Sequence, residues 1–84
     1  MTQQFVAEMV RKRWCEVLET PQADHDENFF LSGGHSLHAV RLTNALREDL
    51  SVRIPVSALY ESHTLDRYAT RVQDLVEASR EASG

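Results

Sequence analysis

The chain has 84 residues, a net charge of −4 from 13 acidic and 9 basic residues, and one cysteine. A single domain of this size buries only about 60–65% of its unfolded surface, which leaves little room for a deep catalytic cleft. The acidic balance argues against nucleic acid or an anionic membrane as the main partner, and a lone cysteine excludes an internal disulfide.

No stretch resembles a signal peptide, and no apolar run approaches the roughly 20 residues needed to cross a bilayer. We therefore expect a cytoplasmic monomer in which residues 1–84 form one domain.

The first predicted helix covers about residues 3–19, because apolar side chains recur there at steps of three and four. Residues 20–35 follow as a long loop rich in Asp, Asn and Gly. A loop of this length in a small domain usually has a function or folds back on the core. We therefore expect at least one of Phe29 and Phe30 to pin it to the bundle.

The second predicted helix spans about residues 36–50. Four of its apolar residues share one face, the expected core stripe: Ala39, Leu42, Leu46 and Leu50. Leu37 lies on the opposite side and Val40 at its edge, so the core does not obviously claim either side chain.

Two further helices complete the prediction. The extended or turn-like residues 51–55 precede a short helix over residues 56–61, which would direct Leu59 and Tyr60 inward. A last helix covers about residues 65–78, and its apolar stripe also faces the core. No segment alternates with a period of two, so the predicted fold class is all-α, a four-helix bundle with three long helices and one short helix.

The stretch Gly33-Gly34-His35-Ser36 at the start of the second helix fits several functions. It resembles part of a hydrolase nucleophile elbow, G-x-S-x-G, but His38 replaces the closing glycine and no strands surround it. We therefore predict no catalytic residue. Ser36 also suits an ordinary helix N-cap, with Gly33-Gly34 as a turn.

A metal site is not predicted. Asp24, Asp26 and Asn28 match the first three ligand positions of a calcium-binding loop, D-x-D-x-N. Phe29 then stands where such a loop needs glycine, and His35 where it needs glutamate. The four histidines also lack the accompanying cysteines of a zinc pattern.

Residues 29–37, FFLSGGHSL, resemble the signature of peptidyl carrier proteins, the thiolation domains of nonribosomal peptide synthetases. In that family the serine of G-G-H/D-S-L carries 4′-phosphopantetheine, and Ser36 matches it. The resemblance covers nearly the whole chain and includes three further segments: Trp14-Cys15-Glu16-Val17-Leu18 (W-x-x-V-L), Ile54-Pro55 with Leu59-Tyr60-Glu61 (I/L-P and L-F-E), and Thr64-Leu65.

The resemblance implies a bundle of the acyl-carrier-protein type that is not itself an enzyme. A phosphopantetheinyl transferase would attach the arm from coenzyme A to Ser36. The arm would hold aminoacyl or peptidyl thioesters and deliver them to adenylation, condensation and thioesterase partners. Leu37 and Val40 would form an apolar docking patch beside it, with Arg41 at the rim.

Several points stay open at this stage. Leu37 and Val40 could instead tuck beneath the loop. Ser32 stands where the family often has leucine, so either Leu31 takes over that packing or the loop is looser. Two other functions are an acyl or aryl carrier of a polyketide or mixed pathway, and a helical interaction domain without an arm. Whether the carrier is freestanding or part of a synthetase is also open.

Overall fold

The computed structural model describes the backbone of residues 2–83 and the side chains of residues 5–81. Four helices follow one another along the chain: α1 (Thr2–Leu18), α2 (Ser36–Leu50), α3 (Ser57–Ser62) and α4 (Leu65–Ser83). Within the described backbone there is no strand, and a single isolated bridge joins Asn28 to Thr64. The predicted all-α four-helix bundle is therefore confirmed.

The helix boundaries follow from local backbone conformation. α1 stops at Leu18 because Glu19 adopts a left-handed conformation, with φ at +53°. α2 ends in the same way, before Ser51 with φ at +54°. α4 runs on to Ser83 instead of ending near residue 78, since no glycine or proline interrupts it earlier.

One hydrophobic core joins the helices. α1 packs against both α2 and α4, and α3 packs against α4. The largest fully buried side chains of this core come from every helix and from the loops: Trp14, Tyr68, Phe29, Leu42, Leu46, Ile54 and Leu59. On the predicted stripe of α2, Ala39, Leu42 and Leu46 are buried, and Leu50 is partly buried against them.

The predicted inward position of Tyr60 is wrong, because its side chain is 41% exposed while neighbouring Leu59 is fully buried. The buried side of α3 is formed by Ala58, Leu59 and Ser62, and Tyr60 lies about 100° farther round the helix from Leu59, on the side away from Ala58. Tyr60 instead stacks on Phe30, with ring centroids 5.1 Å apart and planes within 10°.

Phe29 pins the long loop to the bundle, as predicted. Its ring is fully buried and meets Trp14 edge to face, with centroids 5.0 Å apart. The backbone N–H of Phe29 donates to the carbonyl of His63 at 2.8 Å. In the other direction, the backbone N–H of Leu65 donates to the backbone carbonyl of Glu27 at 3.0 Å. The loop is thus bonded to the segment that starts α4.

Two side chains of α1 hold the loop from the other side. Trp14 Nε1 donates to the carboxylate of Glu27 at 3.0 Å, and Arg11 donates to the carbonyl of Ala23 at 2.6 Å. The indole is fully buried, so its one polar atom needs this acceptor. Glu27 therefore joins the loop to the core aromatic cluster.

Gly34 makes room for the Phe29 ring. A Cβ atom at position 34 would lie 2.7 Å from the Phe29 carbonyl oxygen and closer still to the ring. The N–H of Gly34 also donates to that carbonyl at 3.0 Å. No larger residue fits without displacing the aromatic side chain that anchors the loop.

An ion pair joins α1 to the end of α2. Arg13 donates to both carboxylate oxygens of Asp49, at 2.6 Å from Nε and 2.8 Å from Nη2. Hydrogen bonding to Arg13 lowers the pKa of Asp49 below its usual value. Two parallel bonds of this kind are stronger than a single contact between exposed charges.

We expect the substitution Gly34→Ala to lower the free energy of unfolding by about 2 kcal/mol, since the added methyl group overpacks against Phe29. Chemical denaturation measures the effect. Ser32→Ala is the matched control, because this exposed side chain lies two residues earlier in the same loop. Equal stability of the two variants would show that Gly34 does not constrain Phe29.

We expect Asp49→Asn to lower the free energy of unfolding at pH 7 by about 1 kcal/mol, the upper end of values for partly exposed ion pairs. An aspartate of lowered folded pKa stabilises the fold above its unfolded pKa of about 3.9 and loses that contribution below it. The difference between variant and wild type should therefore shrink between pH 4 and pH 3 in denaturation experiments. A constant difference across that range would contradict this assignment.

Candidate functional site

Ser36 is the first residue of α2. The N-cap is His35, whose backbone is extended at φ −141° and ψ −174°, and whose carbonyl accepts the helical bond from Ala39 at 2.9 Å. The interpretation of Ser36 as an ordinary N-cap is therefore wrong. The Ser36 side chain does not cap the helix. It belongs to a residue of the first helical turn.

The capping acceptor is His38, which the sequence analysis missed. The backbone N–H of His35 donates to His38 Nδ1 at 3.2 Å, and the two imidazole centroids are 3.9 Å apart. His38 occupies the third helical position, where a capping box usually has Glu or Gln. The spacing H-x-x-H at a helix start is the signal that could have identified it.

The Ser36 side chain is open to solvent. The residue is exposed, and its hydroxyl forms no hydrogen bond with the residues whose side chains are described. Gly33 precedes it with φ at +102°, a conformation that suits glycine. The turn before Ser36 is thus formed by Gly33, while Gly34 makes room for the anchoring ring of Phe29.

Exposed apolar side chains lie close to Ser36 in the sequence. Leu37 is 53% exposed and Val40 is 45% exposed, so the alternative that they tuck beneath the loop is wrong. The buried Phe29 ring already fills the space beneath the loop. Leu31 is 87% exposed and does not take over the packing that a leucine at position 32 would give. Arg41 is also exposed and follows Val40 on the same helix.

The site has no built-in base for the serine. No hydrogen bond joins the Ser36 hydroxyl to His35 or His38 among the described side chains, and an unassisted hydroxyl is a weak nucleophile. Elsewhere, burial raises the pKa of the Cys15 thiol, which disfavours the reactive thiolate. The chemistry open to Ser36 is to accept a group that another enzyme transfers.

The described residues contain neither a cluster suited to a metal ion nor a helix suited to a membrane. Within them, no group of three or more His, Cys, Asp or Glu side chains is placed to hold a metal ion. None of the helices, in the part of the chain that the structure covers, has the length and apolar character to span a membrane.

Comparison with known proteins identifies the family. Residues 8–72 match the family described as "Phosphopantetheine attachment site". The chain is 50% identical over 56 residues, 67% of its length, to the malpibaldin synthetase of Mortierella alpina. It is 40% identical over 60 residues, 71% of its length, to a dimodular nonribosomal peptide synthase of Bacillus subtilis strain 168. It spans only 1% and 2% of these two relatives.

A solved structure shares the fold. BlmI, a type-II acyl-carrier-protein from Streptomyces verticillus involved in bleomycin biosynthesis, matches with a TM-score of 0.81 and 24% identity. The match covers 86% of this chain and 87% of BlmI. The chain therefore belongs to the phosphopantetheine attachment site family, as a carrier domain of the nonribosomal peptide synthetase type.

Proposed function

We propose that Ser36 is the residue that carries 4′-phosphopantetheine. The observation that carries this proposal is an exposed serine at the first position of α2 whose hydroxyl has no partner among the described side chains. It occupies the serine position of a Gly-Gly-His-Ser-Leu motif in a chain of the phosphopantetheine attachment family.

The surroundings of Ser36 suit the anionic phosphodiester of this group. The first N–H groups of a helix have no intrahelical acceptor and form the positive end of its dipole. A phosphate ester on Ser36 would lie beside them, which favours a negative charge. The fit therefore rests on the backbone N–H groups of the first turn of α2.

Attachment needs a separate enzyme because Ser36 has no base of its own. We propose that a phosphopantetheinyl transferase binds coenzyme A with Mg²⁺ and removes the hydroxyl proton. The Ser36 oxygen then bonds to phosphorus and displaces the nucleotide half of coenzyme A. When bound, the arm supplies a terminal thiol for aminoacyl or peptidyl thioesters. The carrier presents that cargo and contributes no catalytic residue.

The apolar surface beside Ser36 is proposed as the docking patch, formed by Leu37, Val40 and Arg41. Two exposed aliphatic side chains next to the attachment point give partner enzymes a small hydrophobic contact. The charge of Arg41 at the rim of the patch would orient the approaching partner. The partners proposed are the transferase and the adenylation, condensation and thioesterase domains. The carrier would meet them as a monomer in the cytoplasm, with residues 1–84 as one domain.

Incubation with coenzyme A, Mg²⁺ and a broad-specificity transferase should add one phosphopantetheine group, measured as intact mass. We expect Ser36→Ala to abolish the addition, because it removes the oxygen that forms the ester. Ser32→Ala should be modified like the wild type, since it removes another exposed hydroxyl of the same loop. An unchanged wild-type mass would favour an interaction domain without an arm.

We expect the double substitution Leu37→Ala, Val40→Ala to lower kcat/KM of the transferase by about tenfold. Removing two exposed aliphatic contacts from a small interface costs on the order of 1–2 kcal/mol. The melting temperature should stay within about 2 °C, since exposed side chains contribute little to stability. Phe5→Ala is the control, because Phe5 is 55% exposed and lies on α1. An equal effect of both substitutions would contradict the docking patch.

Loading assays with the modified protein distinguish the cargo. A peptide carrier accepts aminoacyl groups from an adenylation domain, whereas a polyketide-type carrier accepts acyl groups from an acyltransferase. We expect transfer of amino acids. Exclusive acyl loading would replace the peptidyl cargo by an acyl cargo and leave the attachment at Ser36 intact.

A further inference from the structure

We propose that His38 is a positioning residue for the modification of Ser36, acting as the side-chain cap of α2. This inference rests on the proposed attachment at Ser36. It starts from the hydrogen bond in which the backbone N–H of His35 donates to His38 Nδ1 at 3.2 Å. The two histidines form a capping box, in which the side chain of each is directed at the backbone N–H of the other.

The cap fixes where the helix begins. An N-cap residue has a non-helical backbone, and a side chain at the third helical position can bond to its N–H. His35 is held extended in this way, so helical geometry starts at Ser36. Gly33 and Gly34 precede the cap and have no side chains that could hold the turn in its place.

The same bond defines the tautomer of His38. An imidazole nitrogen that accepts a hydrogen bond has no proton, so neutral His38 has its proton on Nε2. The ring of His35 lies against this imidazole, tilted by 52° with centroids 3.9 Å apart. That contact restricts the rotation of the His38 ring and keeps Nδ1 directed at the cap.

The consequence for Ser36 is a fixed direction. In a helix, each Cα–Cβ bond tilts toward the N-terminus, so a formed first turn holds the serine side chain at the helix tip. A frayed first turn would let Ser36 leave helical geometry, and the transferase would then have to order it before reaction. His38 is thus expected to act on the reaction step and not on binding.

The experiment measures phosphopantetheine transfer from coenzyme A to the wild type, His38→Ala, His38→Gln and His25→Ala. We expect kcat for His38→Ala to fall about threefold to tenfold, as the loss of one helix cap allows, with KM within about twofold. Glutamine restores an acceptor at the third helical position, so His38→Gln should retain at least half of the wild-type kcat. His25→Ala removes an exposed histidine of the loop and should match the wild type.

Nuclear magnetic resonance tests the cap directly. In unmodified wild-type protein we expect the Nε2–H tautomer of His38 and slow hydrogen exchange at the His35 amide. Exchange of this amide should become several-fold faster in His38→Ala and return toward wild type in His38→Gln.

Three outcomes would overturn the inference. They are a proton on Nδ1 of neutral His38, wild-type kcat for His38→Ala, or a raised KM that glutamine does not rescue. The last would indicate direct contact between the imidazole and the transferase. Absence of any transfer to the wild type would reject the attachment at Ser36, whereas the tautomer and exchange rates would still decide whether His38 caps the helix.

Discussion

The insertion of Phe29 into the core is the constraint on which the rest of this structure depends. The loop of 17 residues between α1 and α2 would otherwise lose much conformational entropy with few contacts to offset it. The buried ring against Trp14, the bonds to the segment before α4 and the close approach of Gly34 all fix the same point of the chain. Only a few residues then separate this anchor from α2, so the anchor limits where that helix can start.

This anchor separates the functions of neighbouring residues. Phe29 and Gly34 face the core, while Ser36, Leu37 and Val40 face solvent beyond it. A domain with one small core has little room for a deep substrate pocket. A carrier has no need of one, because its cargo is held on a flexible arm outside the fold. The structure therefore suits a carrier that presents Ser36 on its surface better than a protein that binds its substrate in a pocket.

The sequence was sufficient for features that depend on periodicity or on a local motif. The apolar stripes predicted the helices and the buried face of α2, and the Gly-Gly-His-Ser-Leu motif predicted that Ser36 stands at the start of α2, where the structure has it. Tyr60 was misplaced because a six-residue helix has too few positions to define one buried face. Its actual partner, Phe30, is remote in sequence. The cap was missed because a capping box usually has Glu or Gln at that position, so the H-x-x-H spacing did not stand out as a capping signal.

We expect the loop and the first turn of α2 to be in place before an arm is attached to Ser36. Proton–nitrogen correlation spectra of the wild type, before and after conversion with coenzyme A, test this claim most directly. We expect shifts confined to residues near Ser36, with the signals of the Trp14 indole and the Phe29 amide unchanged. Shifts at those two groups as large as the shift at Ser36 would contradict it, because the anchor itself would then rearrange on modification.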